Sequence, residues 1–188
     1  MKSDIEILKF LLNKKEESFT IKNISEALQI NYRIAYERVA VLEKEGLLKI
    51  TRAGNSKLCE FTYNFNPKVY EAEYMRRMDL FKNKDFFVIH NRLAELNFVF
   101  VVLLFGSRVK GTSNKHSDID ILTIDGDEKE IRATLSLLPD KIHLTSITAE
   151  DFVNMAKRKE FTVANEAIKN NIILIGIEEY YRLLSNAR

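Results

Sequence analysis

Cysteine occurs once, at Cys59, and proline only twice in 188 residues. A lone cysteine excludes an internal disulfide and a zinc site built on cysteines, and it fits a reducing compartment, so the expected location is cytoplasmic. No apolar run approaches the length of a membrane span, and the start, MKSDIEILKF, carries Asp4 and Glu6 without a leader-type cleavage site. Neither a membrane partner nor a secretory leader is expected. The formal net charge is only +2. Bulk charge therefore argues for no nucleic-acid partner, and any such partner must be argued from where the basic residues sit. Glycine is also scarce, with six residues, so the placement of each is informative. What remains is ordinary for a globular chain, 46% hydrophobic and 30% charged, with length for one large domain or two small ones.

Glycine and proline fall where the apolar period changes. Ile5, Leu8 and Leu12 form one helical stripe, and Ile24 with Leu28 form a second behind a Thr20 cap. The stretch NYRIAYERVAVLEKEGLL opens at Asn31 and puts Ala35, Val39 and Leu42 on one face, with Gly46 ending it. LLKITRAGNSKLCEFTY reads as a hairpin turning at Ala53-Gly54-Asn55. Asn66-Pro67 reads as a cap with proline at the first helical position, which sets boundaries of residues 1–66, a helical linker at 67–84, and 85–188. In the last segment a helix from Lys84 to Leu96 precedes three β-branched runs, FVFVVLLF, DIDILTI and KIHLTSIT. A helix from Glu128 to Leu138 stops at Pro139, and a brief IILI strand precedes a closing helix from about Glu178. The fold class expected is α+β, with one principal sheet after residue 85.

Leu103–Ile124 reads LLFGSRVKGTSNKHSDIDILTI. FVFVVLLF is apolar throughout, as a strand buried on both faces should be, and it delivers the chain to Gly106-Ser107. Glycine there lets the backbone approach a ligand, while N–H groups and the Ser107 hydroxyl can bind phosphate oxygens. Gly111 keeps the returning loop clear, and Arg108 and Lys110 add positive charge. Asp118 and Asp120, two apart in a strand, share one face while Ile119 and Ile121 turn to the core. Paired carboxylates repel unless a cation sits between them, and all-oxygen ligands suit Mg²⁺ completed by water and phosphate. Phosphate donors beside a divalent-metal clamp are what nucleotidyl transfer requires.

The segment LFGSRVKGTSNKHSDID resembles the signature of the polymerase-β nucleotidyltransferase superfamily, in its minimal nucleotidyltransferase branch, and the likeness extends more loosely over about Asp85 to Tyr180, including NNIILIGIEEY. The resemblance implies a small domain with one mainly mixed sheet flanked by helices. It assigns Gly106, Ser107, Arg108 and Gly111 to ATP or another NTP, and Asp118 and Asp120 to Mg²⁺ or Mn²⁺. The implied reaction moves a nucleoside monophosphate onto a protein or nucleic-acid acceptor. Family members bring a third carboxylate from the following strand. Here that strand, KIHLTSIT, has none, and His143 takes the corresponding place as a candidate base or as a strand histidine meeting a polar neighbour. Asp140 and Glu150 flank it. The departure leaves two alternatives beside an enzyme: a nucleotide-sensing transcription regulator without turnover, and an antitoxin-like partner of a HEPN ribonuclease. A homodimer is compatible with each.

The first 66 residues resemble a winged helix-turn-helix, on RVAVLEKEGLLKI and the hairpin after it. Arg33, Glu37 and Lys44 project opposite the apolar stripe with Tyr36 beside them, a face suited to a DNA major groove, and Arg52 with Lys57 straddles the hairpin tip near phosphates. Glu37, Glu43 and Glu45 make that helix less basic than a dedicated DNA reader, which leaves a protein-contact role open. His90 in a helix and His116 in a polar loop read as structural or solvated, and YMRRMDLFKNK reads as a basic, solvated linker face.

Overall fold

Two helices of the N-terminal half begin where a side chain closes orphan N–H groups. In the computed structural model, which describes residues 2–114, 117–139, 141–158 and 162–187, Thr20 and Asn23 form a reciprocal capping box, with both backbone-to-side-chain bonds at 3.1 Å. Asn31 caps the next helix through Arg33 N–H at 2.8 Å. The order is α1 (Lys2–Leu12), β1 (Phe19–Thr20), α2 (Ile21–Ala27), α3 (Tyr32–Lys44), β2 (Leu48–Ala53) and β3 (Ser56–Phe61). Ala35, Val39 and Leu42 are buried on α3, and Ile5, Leu8 and Leu12 on α1. The strands form an antiparallel sheet in the order β1-β3-β2. Ala53 pairs with Ser56, so the hairpin turn is the dipeptide Gly54-Asn55 rather than three residues. Strand β1 carries no hydrophobic run of its own and gave no sequence signal.

α4 (Pro67–Leu80) follows, with Asn66 accepting from the N–H groups of Lys68 and Val69. The chain divides into two compact units inside this helix, residues 1–75 and 76–188. The basic stretch of α4 differs from the solvated face expected of it. Arg76 is buried and donates to the Asn171 carbonyl at 2.6 Å, while Arg77 donates to the Leu174 carbonyl at 2.9 Å. Both carbonyls flank or belong to an edge strand, where outward-facing acceptors need a partner.

The second unit continues with α5 (Lys84–Ala94), β4 (Val101–Phe105), α6 (Ser107–Lys110), β5 (Ile119–Ile124), α7 (Glu128–Ser136), β6 (Ile142–Ile147), α8 (Ala149–Arg158), α9 (Val163–Lys169), β7 (Ile172–Ile175) and α10 (Ile177–Asn186). Its sheet runs β6-β5-β4-β7, with β4 antiparallel to β5 and β7, and β5 parallel to β6, making it mixed. All five residues of β4 are buried, as its composition predicts. The strand begins at Val101 instead of Phe98; the Phe98 and Phe100 rings before it are tilted against each other with centres 5.0 Å apart, beside Gly126. One sheet face packs Val102, Leu104, Ile119 and Ile121 against Phe86, Ile89 and Leu93 of α5 and Ile131 and Leu135 of α7. Helices α9 and α10 also pack against β4. The whole is a mixed α+β chain.

Candidate functional site

The site is built where β4 ends and β5 begins. Antiparallel pairing sets Phe105 opposite Asp120, so the chain leaving β4 at Gly106 passes directly beside the Asp120 carboxylate. Gly106 has φ 72° and ψ −151°, and a Cβ there would run into Oδ2 of Asp120. Only glycine allows the backbone and the carboxylate to lie this close. Ser107 then starts the short helix α6, whose first N–H groups have no intrahelical acceptor. Gly111 ends α6 in the left-handed conformation, with its N–H donated to the Ser107 carbonyl. The geometry therefore brings Gly106, Ser107 and Asp120 together around one turn.

Ile119 and Ile121 are buried in the core, and the neighbouring Asp118 and Asp120 are half-buried on the opposite side of the ribbon. The parallel register pairs Asp120 with His143, whose Nδ1 lies 3.5 Å from Asp120 Oδ1. Lys141 stands two residues before His143 and donates to Asp118 Oδ2 at 2.9 Å. Each carboxylate thus faces a basic side chain, Lys141 just before β6 and His143 within it. Lys141 is the site residue that the sequence concealed. Its signal was the matched spacing of K-x-H and D-x-D, readable only once the strands are known to be adjacent and parallel.

Arg108 and Lys110 stand differently. The Arg108 guanidinium donates to the Ser117 carbonyl at 2.7 Å and braces the loop just before Asp118, while its buried Nε has no hydrogen-bond partner among the described residues. Lys110 pairs with Glu166 of α9 at 2.8 Å. Glu150 is exposed on the first turn of α8, after the far end of β6 from His143. Asp140 and His116 lie outside the described residues. His90 of α5 stacks on Phe81 at 4.8 Å and meets Asn91 Oδ1 at 3.1 Å; burial lowers its pKa below the usual histidine value, and the Arg77 charge adds to this.

Asp118 and Asp120 are the two carboxylates at the start of β5 that could take part in holding a divalent ion. Among the described residues no three His, Cys, Asp or Glu side chains form a metal-ligand group. Two carboxylates nevertheless fit Mg²⁺, which takes one or two from protein and the rest from water and phosphate.

Residues 88–180 match the family model described as polymerase beta, nucleotidyltransferase. The match lies within the second unit and runs from inside α5 to the start of α10. No curated protein and no solved structure matches the chain. No helix among the described residues is long and apolar enough to cross a membrane.

In the first unit Tyr36 and the hairpin meet. Lys57 donates to the Tyr36 hydroxyl at 3.1 Å and lies 4.8 Å from its ring centre. That hydrogen bond, with the neighbouring charges, raises the Lys57 pKa above the ordinary lysine value. Arg52 sits across the hairpin from Lys57, with its Nε donated to the Gly54 carbonyl at 3.3 Å. Arg33 is held by Glu37 at 3.0 Å, one turn along α3, and Lys44 is exposed at the other end of that helix. Tyr32 and Ile34 are exposed beside them. Cys59, beneath this surface, has its pKa raised to about 11 by burial and is a core residue rather than a reactive thiol.

Proposed function

We propose that the second unit transfers a nucleoside monophosphate from an NTP such as ATP to a hydroxyl of a protein or nucleic-acid acceptor, with Mg²⁺ or Mn²⁺ held by Asp118 and Asp120. The observation that carries this is the contact between the glycine that ends β4 and the Asp120 carboxylate, inside the stretch that matches the nucleotidyltransferase family model. Gly106 and the N–H groups at the start of α6, with the Ser107 hydroxyl, bind and orient the β and γ phosphates. A divalent ion bound by the two aspartates supplies charge neutralisation at the phosphates. The acceptor oxygen forms a bond to the α phosphorus as the bond to the β-phosphate oxygen breaks, and pyrophosphate leaves. His143, 69% exposed and beside Asp120, takes the acceptor's proton, with the carboxylate stabilising the imidazolium. Arg108 acts on the loop that presents Asp118, rather than on the nucleotide directly.

The first unit is, in the same proposal, a winged helix-turn-helix that binds DNA. Tyr36, Lys57 and Arg52 form one polar, basic rim, and Arg33 and Lys44 extend it along α3. A second reading keeps nucleotide binding without turnover, as in a regulator or the partner of a HEPN-type protein. It is favoured by the basic residues Lys141 and His143 standing where β6 faces the two aspartates.

Incubation of the purified chain with ATP labelled on the α phosphate, with Mg²⁺ or Mn²⁺, should label an acceptor and release pyrophosphate. Asp118→Ala with Asp120→Ala should abolish both. Binding without pyrophosphate release selects the regulator. Absence of transfer, with ATP affinity indifferent to the double substitution, removes the nucleotide site altogether.

A further inference from the structure

We infer that Lys141 is a resident cation that a divalent ion must displace from Asp118, so that this lysine sets how readily the aspartate pair loads metal. The inference rests on the metal-clamp reading above. Two carboxylates two residues apart on one strand face repel each other, and either a metal ion or an ammonium group relieves the repulsion. Here the ammonium is already in place. The β5–β6 register that sets Asp120 beside His143 carries Lys141 alongside Asp118, with Nζ 2.9 Å from Oδ2.

Exposure decides how firmly it is held. The Lys141 side chain is 83% exposed and that of Asp118 35% exposed, so the pair is a solvent-screened one of small net strength. The ammonium rides on a flexible four-carbon stem and can swing into water at little cost. An incoming divalent ion therefore meets an engaged carboxylate oxygen and a like charge beside it, and both weaken its binding. When the ion arrives with a polyphosphate, the displaced ammonium gains anionic oxygens to turn to. Metal alone should thus load poorly, and Lys141 penalises it most when no nucleotide is present.

Mn²⁺ alone is the probe, its free concentration read by electron paramagnetic resonance during titration of the full chain at low ionic strength. Lys141→Gln should bind Mn²⁺ about two- to five-fold more tightly than the unmodified chain, the factor an exposed ion pair is worth. Lys141→Arg, which keeps the charge, should stay close to the unmodified affinity. Lys129→Gln, an exposed lysine on α7 beyond the other end of β5, measures the general effect of removing one positive charge. Without metal, Lys141→Gln should melt at a lower temperature, and Mn²⁺ should restore more of its stability than it adds to the unmodified chain. Equal tightening in Lys141→Gln and Lys129→Gln, or none in either, overturns the role of Lys141 while Asp118→Asn still weakens Mn²⁺ and the clamp stands. If no variant binds Mn²⁺ and Asp118→Asn changes nothing, the clamp itself is refuted and the inference with it.

Discussion

At Gly106 the backbone sits at φ 72° and ψ −151°, a region essentially reserved for glycine, and the space a Cβ would need is filled by the Asp120 carboxylate. Gly106→Ala therefore has two costs: a strained backbone, about 1–3 kcal/mol at such positions, and an Asp120 side chain that must move off its place. The first should appear as a lower midpoint in urea unfolding, and the second as loss of metal-dependent ATP binding. Retained binding in a folded Gly106→Ala protein would show that the glycine and the aspartate do not share a ligand. At this scale the sequence was informative where chemistry is local. Gly-Ser at the end of an apolar strand and Asp-x-Asp in the next are both short-range patterns, and the contact of Gly106 with Asp120 follows from them once the two strands pair. Lys141 was not legible, because its partner Asp118 is distant along the chain and the parallel register that joins them is a property of the folded sheet. The hydrogen bond of Arg108 to the Ser117 carbonyl was not legible either, since nothing local reveals that this carbonyl returns to meet it.

Among the elements, α4 departs most from its sequence reading. Its start was plain from Asn66-Pro67, but the basic stretch from Tyr74 reads as solvated, whereas Arg76 within it is buried against the Asn171 carbonyl; just before that stretch, Glu73 forms a fully buried ion pair at 3.2 Å with Lys15, which follows α1. Composition cannot distinguish a solvated charged helix from one whose charges meet buried partners, since the partner lies elsewhere in the chain. The short elements β1 and α6 were missed for another reason: two and four residues are too few to establish a period. Long β-branched runs and capped amphipathic helices were legible because periodicity and capping act within a few residues. The buried pair gives an element-scale test. Lys15→Met removes the ammonium that faces the buried Glu73 carboxylate and should cost about 3–5 kcal/mol in urea unfolding, while Lys15→Met with Glu73→Leu should recover most of that loss. A single substitution that leaves stability unchanged would mean that water reaches Glu73.

Across the whole molecule a net charge of +2 gives no general attraction to a polyanion. The DNA contact proposed for residues 1–75 must therefore come from a local rim, and a local rim has a measurable valence. Each phosphate neutralised on duplex DNA contributes about 0.9 to the slope of log K against log salt. Lys57 belongs to that rim, and its hydrogen bond to the Tyr36 hydroxyl raises its pKa above the ordinary lysine value. Arg52 lies across the hairpin from it. If both meet phosphates, Arg52→Ala with Lys57→Ala should lower the salt slope of DNA binding by about two and weaken binding to all sequences alike. Arg33→Ala should instead relax sequence preference if its guanidinium leaves Glu37 to reach a base edge. Asp118→Asn and Asp120→Asn lie in the other unit and should leave the slope where it was. A slope indifferent to the hairpin pair would assign this surface to a protein partner, which the exposed Tyr32 and Ile34 and the acidic residues of α3 would then serve better than they serve DNA.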